Sequence, residues 1–156
     1  MSEGDESKRE REHEHTVTAC TRAWQLLRLA HDRVAGRLGA ELSHECGLAI
    51  NEFDLLFRLR SHAEGSVRMG ALLEAVALSQ PALSRSVARL EERGLVARSE
   101  AAGDGRACMV GLTERGSALT DRATEVYARA VHETLTGKFT AAEQAALLHT
   151  LGRIGR

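Results

Sequence analysis

Nowhere in the 156 residues does an apolar run approach the roughly 18 residues that a membrane-crossing helix needs. No membrane partner is therefore expected. The first fifteen residues, MSEGDESKREREHEH, also lack the apolar core of a secretory signal, which leaves the cytoplasm as the expected location. Cysteine is scarce. Cys20, Cys46 and Cys108 are odd in number and form no C-x-x-C pair, which argues against both a disulfide framework and a zinc ribbon. A large charge of one sign is missing too, since the net charge of −1 provides no bulk attraction to nucleic acid. That charge is unevenly spread: the first fifteen residues hold six acids and three bases, so the remainder is slightly positive and any basic surface must be local. Catalytic signatures are absent as well: no G-x-S-x-G, P-loop or H-E-x-x-H occurs. The chain therefore reads as a non-enzyme with no cofactor and no resident metal.

What is present is helical patterning. Hydrophobic residues make up 43% of the chain, enough for a packed core. Residues 1–15 read as a disordered acidic tail. From there Cys20, Trp24, Leu27, His31, Val34 and Leu38 recur at steps of four and three, the seam of a long helix that packs on another helix and ends before Gly47. Asn51 is placed to cap a second helix, NEFDLLFRLRSHAEG, with Phe53, Leu56, Phe57 and Leu59 facing inward. A short third helix, MGALLEAVAL, follows directly. In LSQPALSRSVARLEERG, Ser79 stands where an N-cap belongs and Pro81 falls in the first turn, where a missing N–H costs nothing. Leu83, Val87 and Leu90 form the buried stripe of this fourth helix. LVARSE and CMVGLT around AAGDGRA read as a hairpin. Two more helices close the chain, the last opened by the capping box Thr140-Ala-Ala-Glu143 and striped by Leu147, Leu148, Leu151 and Ile154.

This order predicts a mainly α protein with a small β-hairpin wing. It is a winged helix-turn-helix over 49–113, with 16–48 and 114–156 forming a helical dimerisation lobe. The fourth helix is the one expected to enter the major groove of double-stranded DNA. Ser84 and Ala88 are small enough for close approach, and Arg85 supplies a fork for guanine O6 and N7. Arg89 adds a further cation, while Ser79 and Gln80 at the helix start can reach phosphate. Two chain ends that cannot bury their stripes alone imply a homodimer built through the shared lobe.

LSQPALSRSVARLEERGLVAR, followed by DGR and LTERG, resembles the MarR-type transcriptional regulators of bacteria, with a recognition helix similar to the SlyA branch. The resemblance covers roughly Trp24 to Ile154. It implies that Pro81 contacts a base, that Arg106 at the wing tip reaches into the minor groove, and that Asp104 orients the wing by pairing with Arg98. Many relatives carry Arg where this chain has Gly105, so the wing has one cation fewer. A pseudo-palindromic operator, repression, and release by a small anionic or aromatic effector are further implications. Trp24, His31 and Asp54 are the candidate effector residues. The alternative within the same fold is a redox or metal sensor, using Cys20 as a thiol or His44 and Cys46 as ligands.

Overall fold

In the computed structural model the chain runs α1 (Glu3–Cys46), α2 (Ile50–Ser61), β1 (Ser66–Arg68), α3 (Met69–Ala75), α4 (Gln80–Glu92), β2 (Val96–Ala101), β3 (Asp104–Leu112), α5 (Glu114–Leu135) and α6 (Ala141–Ile154). The structure describes all residues except 1–2, 63–64, 77, 102–103, 136 and 155–156, and the side chains of 3–17, 101 and 104–107 also lie outside the description. The three strands form one antiparallel sheet in the order β1-β3-β2. The expected class, mainly helical with a small sheet, is what is observed.

The chain divides into two units, residues 1–37 and 38–156. The second contains the core, because apolar stripes from many elements converge there: Leu42 and Leu48, Leu55, Leu56 and Leu59 of α2, Leu72 of α3, Leu83, Val87 and Leu90 of α4, and Val110 of β3 are all buried. Phe53 of α2 stacks on Tyr127 of α5 with ring centroids 5.0 Å apart. This contact joins α2 to α5, and aromatic pairs at such offsets add to simple area burial. Where β2 begins, the backbone of α5 lies against the chain. A Cβ on Gly116 would sit 1.8 Å from the Leu95 carbonyl oxygen. The glycine of LTERG is therefore required by a close approach, and Thr113 fixes it by accepting the Gly116 N–H at 2.9 Å.

Several expectations need correction. α1 starts at Glu3, so the segment read as a disordered tail has a helical backbone. Its Glu, Lys and Arg content is favourable to helix even though it has no apolar stripe. The cap of α2 is at Ala49, not Asn51. Alanine has no capping side chain, and the Glu52 carboxylate reaches back to accept the Ala49 N–H at 3.1 Å. Phe57 is 44% exposed while Leu55 is buried. The near-continuous run FDLLFRL leaves the helical phase ambiguous, and the core takes Phe53, Leu55, Leu56 and Leu59. The third helix stops at Ala75, three residues early, and β1 was missed because three residues are too few to show alternation. In the first unit, Trp24, Leu27 and His31 of the expected seam are exposed. In the second unit, the α6 stripe of Leu147, Leu148, Leu151 and Ile154 is also exposed within the single chain.

Candidate nucleic-acid interface

The placement of α4 follows from its two faces. Leu83, Val87 and Leu90 are at most 1% exposed, and their burial turns Pro81, Ser84 and Arg85 outward. At the start of the helix Ser79 is the N-cap, yet its hydroxyl makes no capping bond, and Pro81 lies in the first turn. The amides of that turn and the exposed Gln80 therefore present donors and partial positive charge at one end of an otherwise slim face. α3 lies beside it. A shallow cleft bordered by Gly70, Leu73, Gln80 and Ser84 marks the gap between the paired helices.

The two arginines of α4 and Arg93, its C-cap, have different surroundings. Among the described residues Arg85 makes no ion pair, and it is exposed. Arg89 donates through Nε to Glu52 Oε1 at 3.3 Å and through Nη2 to Ser86 Oγ at 3.1 Å. Arg93, just past the helix, donates to Glu52 Oε2 at 3.2 Å and to the Gly47 carbonyl at 3.0 Å. Sequence reasoning grouped Arg89 with Arg85, and it missed Glu52 and Arg93 altogether. No local signal could have found them, since the partners are 37 and 41 positions apart.

The wing is the β2–β3 hairpin, paired from Val96↔Leu112 to Glu100↔Cys108, with a register shift before Ala101↔Asp104. Arg98, the expected partner of Asp104, forms an ion pair with Glu91 of α4 at 3.3 Å. That pair ties the base of the hairpin to α4. The side chains of Asp104 and Arg106 lie outside the described residues.

A second feature is a cleft of about 540 Å³ between α2 and α3, lined by Asp54, Phe57, Arg58, His62, Ala71 and Ala75 among others. It combines an aromatic ring, small walls and groups of both charge signs. Desolvation pushes the Asp54 carboxyl above its ordinary range, against the pull of Arg58, although the residue as a whole is exposed. Of the three expected effector residues, Asp54 lines this cleft, while Trp24 and His31 lie exposed on α1 within the first unit.

The thiols and histidines are arranged otherwise. Cys20 is exposed and Cys46 buried, and burial raises the Cys46 thiol above its usual value, which suppresses thiolate chemistry. His44 is exposed on α1. Among the described residues no three His, Cys, Asp or Glu side chains come together as a metal cage.

Residues 47–107, from the end of α1 through the wing, match the MarR family. That stretch carries the likeness to the MarR family. The HTH-type transcriptional repressor NicR of Pseudomonas putida is 37% identical over 103 residues, 66% of this chain and 63% of the repressor. The match thus spans less than two thirds of that relative's length. Among solved structures, the MarR family regulator Sco3205 of Streptomyces coelicolor, crystallised with DNA, aligns with a TM-score of 0.79 at 24% identity over 86% of this chain and 88% of that one. BpsR of Bordetella bronchiseptica, described as regulated in its DNA binding by 6-hydroxynicotinic acid, aligns with a TM-score of 0.75 at 25% identity over 86% and 99%. Among the described residues no helix is long and apolar enough to cross a membrane.

Proposed function

We propose that the chain is a sequence-specific, DNA-binding transcriptional repressor, acting as a homodimer on a pseudo-palindromic operator and released by a small aromatic acid. It performs no catalysis. The observation that carries the reading is α4 itself. Three leucine and valine anchors hold its back, and an exposed, unpaired Arg85 stands beside the small Ser84 on its front. Arg85 reads guanine in the major groove, Pro81 gives an apolar base contact, and Ser79 and Gln80 hold phosphate. Arg106 enters the minor groove, where narrow geometry concentrates negative potential, and Asp104 steadies the wing. The NicR and BpsR likenesses support repression and an aromatic effector. The exposed stripes of α1, with Trp24 and His31, and of α6 support a second copy as their cover.

For the effector, the α2–α3 cleft offers the chemistry. Arg58 and His62 attract a carboxylate, Phe57 faces a ring, and the Asp54 carboxyl, ionising less readily than usual, bonds a ring hydroxyl or N–H. Calorimetric titration of hydroxylated pyridine and benzene carboxylic acids, with and without operator, tests this. A bound acid should weaken operator affinity by about 1–3 kcal/mol and be weakened equally by operator. An acid that binds equally well in both conditions, or that binds Asp54→Ala as tightly, contradicts the release mechanism.

A further inference from the structure

Glu52 is the one acidic side chain among the described residues that is buried, at 6% exposure. It stands in the first turn of α2, yet its carboxylate gathers donors from three places. Oε2 accepts the Ala49 N–H and Arg93 Nη1, and Oε1 accepts Arg89 Nε. Arg93 uses its other terminal nitrogen on the carbonyl of Gly47, the residue whose left-handed φ of 64° ends α1. The end of α1 is in turn held by α5, because Arg122 donates to the Glu45 carbonyl and Arg129 pairs with the Glu45 carboxylate. One turn of chain, 45–52, is thus bonded to both α4 and α5.

We propose that Glu52 is a positioning residue for DNA recognition: by holding Arg89 and Arg93 it fixes the orientation of α4 about its axis and withholds two cations from phosphate. The inference rests on the reading of α4 as the recognition helix. Arg85 lies one helical turn before Arg89 on the same side of the chain. A clamp on Arg89 and Arg93 therefore sets where Arg85 points. It also separates the two kinds of affinity. Cations free to reach phosphate strengthen binding to any duplex and steepen its salt dependence, whereas base readout needs Arg85 at a set angle. Glu52 favours the second over the first. Its surroundings suit that role, since a buried carboxylate is tolerated only while its charge-assisted bonds are kept.

The test is operator and scrambled-duplex affinity, each measured across a salt series, for wild type, Glu52→Gln and Arg93→Gln. Glu52→Gln should lower operator affinity about tenfold. It should also raise scrambled-duplex affinity and steepen the salt slope by about one to two. Arg93→Gln should lower the operator preference without the gain on scrambled DNA, because it removes a cation instead of releasing one. Arg93→Gln leaves Glu52 its bonds to Arg89 and Ala49, so it serves as the check should Glu52→Gln fold poorly. A preference for operator unchanged in both variants, or both affinities falling in proportion, would show that Glu52 merely caps α2 and overturns the proposal. If wild type itself shows no operator preference, the recognition-helix reading fails and this inference falls with it.

Discussion

α4 and α6 carry the same kind of amphipathic stripe and end up in opposite circumstances. Leu83, Val87 and Leu90 of α4 are sealed in the core, while Leu148 and Ile154 of α6 are 76% and 71% exposed. The difference is in what surrounds them. α4 is enclosed by α2, α3 and the sheet of its own chain, so its apolar face is satisfied internally and its polar face is free for a ligand. α6 has no such enclosure, and the face left open is the apolar one. An amphipathic period shows that a face will be buried, but not whether its own chain does the burying.

The sharpest way to break this comparison is to put charge on the α6 face. Leu148→Glu with Ile154→Glu should leave the second unit folded but monomeric by sedimentation, and should reduce operator affinity about a thousandfold by removing the paired half-site contact. The same kind of change inside the core acts differently. Leu90→Ala should lower unfolding stability by about 2–5 kcal/mol at every protein concentration, whereas Leu148→Ala should act only through dimerisation and so depend on concentration. Gly116→Ala should cost about 1–3 kcal/mol or more, since its Cβ must displace the Leu95 carbonyl. Denaturant melts at two protein concentrations separate these cases.

On the α4 side, Arg85→Ala should cost about 1–3 kcal/mol of operator affinity and relax one base position in each half-site. Arg106→Ala should weaken binding with less change at the major-groove positions. The smallest expected effect concerns the cap of α6. Thr140 donates its backbone N–H and hydroxyl to the Glu143 carboxylate, and these bonds hold the Glu143 carboxyl below its ordinary value. A carboxylate depressed in the folded state contributes stability above its unfolded value and loses it as pH falls through the folded one. The gap in Tm between wild type and Thr140→Ala should therefore be present at neutral pH and shrink below about pH 4.

Much of the fold was legible because its signals are local. The α4 stripe, the Ser79 cap, Pro81 in the first turn and the Thr140–Glu143 box each sit within a few residues, and each is found where the sequence put it. The misreadings have a common physical origin. Asn51 is a better capping residue than Ala49 in isolation, but the Glu52 carboxylate supplies the bond and moves the cap. Phe57 belongs to a run with apolar residues on every side, so only the packed core decides which of them turns outward. Part of the candidate site was equally legible: Ser84, Arg85 and Gln80 could be picked from one helix face. The distinction between Arg85 and Arg89 could not, because it is made by Glu52 on another helix, and the cleft around Asp54 depends on α2 meeting α3.

The most direct test of the whole account is selection of bound duplexes from a random pool by the full chain, with Arg85→Ala run beside wild type at fixed salt. The account predicts an inverted repeat whose half-sites are centred about one helical turn apart, with preference at one symmetric pair of positions lost in Arg85→Ala. Enrichment of no sequence, of a single unrepeated half-site, or of the same repeat by both proteins would contradict it.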